Sequence, residues 1–141
     1  MKQTLIFCIA LIGIYAFSSC SKSGSSSNPQ TEITGTWKIT SQSYDSNSSG
    51  TLNKVVTSDT SWAHAFYVFN STGTFVRTYY SQTSQATWSL VNNNSYLKFI
   101  DTSSSARTTY DLIVSLNSTT LQIKDTATYT GVLSLTTFTK Q

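Results

Sequence analysis

The chain has 141 residues, of which only 11% are charged, and a formal net charge of +3. That length suits one domain rather than two, and the Lys and Arg residues stand singly along it, without the clustered basic face that nucleic-acid binding needs. Aromatics at 13%, together with abundant Ser, Thr and Asn, exclude the charge-rich disordered class and favour strands over helices.

Residues 1–19 have the parts of a secretory signal: Lys2 as the positive start, an uncharged and almost wholly apolar run from Leu5 to Phe17, and the small residues Ser18 and Ser19 before Cys20. The run is shorter than the ~20 residues a helix needs to span a bilayer. Phe17-Ser18-Ser19-Cys20 resembles the lipobox of bacterial lipoproteins. That resemblance implies cleavage before Cys20, a diacylglycerol on its thiol and an acyl chain on its new amine. Cys8 leaves with the signal, so Cys20 has no partner for a disulfide or a cysteine metal cluster. Loss of Lys2 leaves eight basic residues against six acidic ones, a net of +2. Residues 20–32 then form a Ser-rich tether with no large apolar side chain, expected to be a flexible coil that lifts a domain off a membrane. Ser21, in place of Asp, points by resemblance to the outer membrane of the bacterial envelope.

From residue 33 to 141 the pattern is that of one β domain. Trp37, Ile39 and Ser41 alternate with Lys38, Thr40 and Gln42, the period of a half-buried strand. Further strands are expected over Leu52–Thr57, Trp62–Phe69 and Thr74–Ser81, the last two joined by the turn Asn70-Ser71-Thr72-Gly73. Ala86–Val91 follows, then the turn Asn92–Ser95, Tyr96–Asp101, Thr108–Leu116, the turn Asn117-Ser118, Thr120–Thr126 and Gly131–Lys140. No stretch has a helical period, and the one proline, Pro29, interrupts no strand. About eight sequential antiparallel strands predict an up-and-down meander, closed into a barrel to remove its sticky edges. A β-sandwich and a membrane-spanning barrel are the alternatives; the Ser- and Thr-rich alternate faces lack the apolar band of the latter.

The landmarks Gly35-Thr36-Trp37, Tyr67 to Phe75, Ala86-Thr87-Trp88-Ser89-Leu90, Leu97-Lys98-Phe99, Tyr110-Asp111-Leu112 and Leu121-Gln122-Ile123 occur in an order that resembles the lipocalin-like domain of small bacterial envelope lipoproteins. The Gly-x-Trp of the first strand is also similar to that of true lipocalins, where the Trp packs across the closed end. The resemblance implies an all-β, lipocalin-like barrel over Thr34 to Lys140.

An eight-stranded barrel can be filled by its side chains or can hold one small ligand. The aromatic set Trp37, Phe69, Phe75, Trp88, Phe99 and Tyr110, with Arg77 on the face of Phe75 and Tyr79, forms the candidate pocket for a small apolar or amphipathic ligand. An inward Arg is costly unless it is paired or faces an anion. An accessory role in an envelope complex, through Tyr80, Tyr96 and Phe66 on the outer face, is the other reading. Catalysis is not expected: His64 is the sole histidine, Asp59 is near it in sequence, and no nucleophile motif accompanies them. The six carboxylates (Glu32, Asp45, Asp59, Asp101, Asp111 and Asp125) are expected mostly at turns, and no metal or cofactor is implied. Asp125-Thr126-Ala127 resembles an envelope O-glycosylation acceptor, with Thr126 as the candidate site.

Overall fold

The computed structural model describes residues 27–57, 59–102, 107–125 and 133–141. Cys20, the signal segment, most of the tether and Thr126 lie outside them. The described chain starts with a short helix, α1 (Pro29–Ile33), where the sequence predicts coil. Its cause is local: the Asn28 side chain accepts from the Gln30 N–H at 3.0 Å, and proline occupies the first turn, where its missing N–H costs nothing. Five residues are too few to display a helical period. The helix ends on Ile33, which is wholly buried.

Among the described residues nine strands follow: β1 (Gly35–Tyr44), β2 (Lys54–Val56), β3 (Ala65–Phe69), β4 (Thr74–Tyr79), β5 (Gln82–Val91), β6 (Tyr96–Asp101), β7 (Thr108–Leu116), β8 (Thr120–Asp125) and β9 (Ser134–Lys140). Each of β3 to β9 pairs antiparallel with its successor, β1 pairs with β3, and β9 returns to pair with β1. Eight strands therefore close into an antiparallel up-and-down barrel, and β2 is a ninth, laid on the far part of β1. The sandwich alternative is excluded by the β1–β9 ladder, which runs from Trp37↔Lys140 to Tyr44↔Ser134.

β1 is shared along its length. Gly35 to Lys38 pair with β3, whereas Gln42 to Tyr44 pair with β2. A bulge lies between Ile39 and Ser41. An extra residue resets the alternation of faces, so Gln42 and Tyr44, rather than Ser41, turn into the barrel beyond it. A second bulge interrupts β7 between Ile113 and Ser115 and leaves Val114 half exposed while Leu116 rejoins the core.

Two expected boundaries move. Thr60–His64 is a 3-10 turn, and the strand expected from Trp62 starts only at Ala65. Asp59 initiates the turn by accepting from the Ser61 N–H at 2.7 Å and the Ser61 hydroxyl at 2.5 Å. The strand expected from Ala86 starts at Gln82, because the polar run Gln82–Gln85 pairs with Tyr79–Val76. Ladder bonds hold that run, and no apolar residue announces it.

The Asn70–Gly73 turn forms as expected, with the Gly73 N–H donating to the Asn70 carbonyl at 3.0 Å. Gly73 has φ +84°, in the region that suits glycine. Its carbonyl accepts from the Trp88 N–H at 2.8 Å, and the Asn70 carbonyl accepts from the Trp88 indole at 3.0 Å. The turn thus clamps the closed end of the barrel. The core there consists of Ile33, Trp37, Phe69, Trp88, Leu97, Leu121 and Phe138, with Phe75, Phe99 and Ile123 above them.

Trp37 joins these parts. Its indole N–H donates to the Ile33 carbonyl at 2.7 Å, tying α1 under the barrel. The Lys140 ammonium lies 5.2 Å from the Trp37 ring centroid and donates to the Glu32 carbonyl at 2.7 Å. Truncation of a buried Trp costs about 3–5 kcal/mol. Trp37→Ala is expected to lower stability by that order, read as a fall in the urea midpoint with an unchanged m-value.

Candidate functional site

Above the aromatic core the barrel is open. A cavity of about 790 Å³ occupies its interior at the end away from α1. Its floor is aromatic: Phe75 and Phe99 lie 4.7 Å apart between ring centroids, and Tyr67 meets Phe75 edge-on at 5.2 Å. Tyr67 also packs on Phe138 at 4.8 Å. Below this layer Phe69 contacts both Phe75, at 5.0 Å, and Trp88, at 5.3 Å. The barrel is therefore filled in one half and hollow in the other.

This division sorts the candidate pocket residues. Phe75, Phe99 and Arg77 line the cavity. Trp37, Phe69 and Trp88 do not; they are buried in the closed half. Tyr110 borders the cavity at its edge, but it is 50% exposed and sits opposite Lys98 across the β6–β7 ladder. It shares a shallow outer groove with Val91, Tyr96 and Lys98. Side chains alternate across a strand, so its neighbour Asp111 takes the inward place.

Arg77 points inward, as the alternation with Phe75 predicts. Its Nε donates to the Ser84 hydroxyl at 3.3 Å, and its charge acts on the Tyr67 hydroxyl. Burial pushes the Tyr67 hydroxyl above its ordinary pKa; Arg77 pulls it back, and the charges of Asp111 and Asp125 push it up again. These groups therefore share one electrostatic environment.

The carboxylates are where sequence reasoning fails most. Asp59 does serve a turn, and so does Asp45, which accepts from the Asn47 and Gly50 N–H groups at 3.2 and 2.6 Å. Asp101, Asp111 and Asp125 lie on strands and line the cavity. Asp111 and Asp125 are direct cross-strand partners. Burial, and next the charge of Asp125, raise the Asp111 carboxyl to about 7. A signal was present. The inward series Leu97, Phe99, Asp101 and Leu121, Ile123, Asp125 both change from apolar to acidic at the same end of the barrel.

A search of solved structures finds two similar folds. One is a lipocalin-like protein from Bacteroides uniformis, with a TM-score of 0.52 and 18% identity over 78% of this chain and 99% of that one. The fold is lipocalin-like. The other is an uncharacterized protein from Bacteroides eggerthii, with a TM-score of 0.52 and 14% identity over 77% of this chain and 98% of that one. The sequence matches no family model and no curated protein.

On the lipocalin-like barrel the remaining candidates are dispersed. His64 is exposed, 5.7 Å from the Tyr80 ring, and is not part of the cavity lining. Tyr80 is 51% exposed at the β4–β5 turn, with φ +55°, whereas Phe66 and Tyr96 are half-buried on other strands. Among the described residues no group of three or more His, Cys, Asp or Glu could hold a metal ion.

The Asp111 shift has a consequence for stability. Its ordinary carboxyl value is 3.8, and in the fold it is about 7. Below about pH 4 the group is neutral in both states. Between about pH 4 and 7 the folded protein keeps a proton that the unfolded chain has released, so stability falls as pH rises. In urea titrations at pH 5 and pH 8, the midpoint of the native protein is expected to drop more between the two than that of Asp111→Asn.

Proposed function

We propose that the protein is a lipid-anchored binding module of a bacterial envelope, which holds a small molecule with an apolar body in the open half of its barrel and performs no chemistry on it. The observation that carries this reading is the 790 Å³ cavity set on an aromatic floor above a filled closed end. Its size falls within the ~300–1,000 Å³ typical of small-molecule sites. An apolar group resting on Phe75, Phe99 and Tyr67 would remove aromatic surface from water. The polar walls above that floor suit an amphipathic ligand better than a purely apolar one.

The anchor is Cys20, on the strength of the signal pattern, the lipobox-like segment and the Ser-rich residues behind it. Two or three acyl chains hold a protein stably to a bilayer, where one is marginal. Ser21 supports the outer membrane as the destination. α1 lies at the closed end, beside Trp37, so the tether joins the barrel at the end opposite the mouth of the cup.

Both parts can be tested apart. Cys20→Ser should move the protein from the membrane fraction to the soluble one; continued sedimentation with membranes would show that Cys20 is not the anchor. Thr109 lines the cavity opposite Phe99 in the β6–β7 ladder. Thr109→Trp should abolish binding of a neutral fluorescent probe such as N-phenyl-1-naphthylamine while the melting temperature stays within a few degrees. Undiminished binding would place the probe outside the cup.

A further inference from the structure

The charges of the molecule are segregated. The chain is net positive at +3, yet four of its six carboxylates, Asp59, Asp101, Asp111 and Asp125, line a single cavity together with two cations, Arg77 and Arg107. A cleft with an excess of one sign and low-dielectric walls concentrates ions of the other sign. The excess here is negative, inside a barrel whose other basic side chains do not line that cavity.

The acidic side of the cavity has a particular geometry. Asp111 and Asp125 face each other across β7 and β8, and like charges directly opposite on neighbouring strands destabilise a sheet. Arg77 stands on β4, three and four strands away around the eight-stranded ring, where it is bonded to Ser84 and sits opposite Tyr67 across the β3–β4 ladder. Between these two sides lies the aromatic floor. Among the described residues no group of three His, Cys, Asp or Glu could hold a metal ion. An ammonium needs only a few acceptors for its three donors, and ring faces attract it as well.

We propose that the ligand of the cup is a small organic cation, a primary or secondary ammonium on an apolar body, with its charged end on Asp111 and Asp125 and its body on Phe75, Phe99 and Tyr67. This assignment rests on the cup being a binding site and names what it selects. The ammonium is attracted to the acidic side of the cavity, and the floor removes the apolar body from water. Arg77 disfavours placing the ammonium on the other side of the cavity.

Binding of this kind is pH-dependent. Among the described residues, the other titratable and charged groups that line the same cavity are Tyr44 on β1, Tyr67 on β3, Arg77 on β4, Asp101 on β6, Tyr110 on β7, Asp59 and Arg107. β5 and β9 contribute only neutral side chains, among them Ser84 and Thr136. The Asp111 carboxyl, raised to about 7, must release its proton to receive a cation. Affinity therefore rises with pH up to about 7 and then levels, because an alkyl ammonium keeps its own charge until roughly pH 10.

The test is calorimetric titration of the Cys20→Ser protein with three probes of like size, 2-phenylethylamine, 3-phenylpropanoate and the uncharged 2-phenylethanol, with N-phenyl-1-naphthylamine as a reporter of the cup itself. The amine is expected to bind at least about ten-fold more tightly than either other probe at pH 7.5, and to lose up to about ten-fold per pH unit below 7. Asp111→Asn should lower amine affinity about ten-fold or more at pH 7.5 and flatten its pH dependence below 7. Should that variant not fold, Asp125→Asn serves the same purpose, and the probe series on the unaltered pair needs neither. If the propanoate or the alcohol binds as tightly as the amine, or if the Asn variants retain the amine undiminished, the cation assignment is overturned. If the reporter binds the cup and the amine does not, the assignment falls and the binding reading stands. If neither the reporter nor any probe binds, both fall.

Discussion

The barrel depends on the way Trp37 closes its end. One side chain takes part in both ladders that make β1 the seam, facing Tyr67 on β3 and Lys140 on β9. Its indole N–H holds the carbonyl at the end of α1, and its ring lies under the Lys140 ammonium. A buried indole without a partner for its N–H would carry a desolvation cost of about 1–3 kcal/mol. The short helix supplies that partner at 2.7 Å. The helix in turn has too few residues to be stable alone, so helix and tryptophan stabilise each other.

From this plug the interior changes character along the barrel axis. Aromatic rings stack from Trp88 through Phe69 and Phe75 to Phe99, and there the packing stops. Beyond Phe99 and Ile123 most inward positions belong to polar residues, Asp101, Asp125, Gln42 and Ser134 among them, with Tyr44 at the end of β1. Small and polar side chains cannot fill the space between eight strands. The cavity is thus a direct result of which residue types occupy the last inward positions of each strand. The two bulges contribute by resetting the inward series of β1 and by letting Leu116 rejoin the core in β7.

Electrostatics then distinguish this cup from a simple apolar pocket. Its floor could receive any apolar body, but the walls carry charge in pairs and clusters, and the burial that raises Asp111 also raises Tyr67. Burial with like charges nearby is a costly arrangement for a fold that has no need of it. Asp59 illustrates the opposite case: the Ser61 hydroxyl, and next the Ser61 N–H, hold its carboxyl below its ordinary range.

Several features were legible in the sequence because they depend on local order. Period-two alternation locates most of the strands, the Asn70–Gly73 turn follows from the need for a left-handed residue at Gly73, and the inward direction of Arg77 follows from its phase with Phe75. Chain order and hairpin spacing also determine an up-and-down meander. Closure does not follow from local order, since it requires β9 to meet β1 across almost the whole chain, from Trp37 to Lys140. Nor does depth along the axis: Trp37 and Phe75 are both inward aromatics, yet one fills the closed end and the other floors the cup. Sequence alone assigned Asp111 and Asp125 no joint role, because fourteen positions separate them and only the β7–β8 register sets them face to face. The physical reason is the same in each case. Alternation along one strand tells inside from outside, but height within the barrel and partners across it are set by register between strands, which the tertiary structure alone decides.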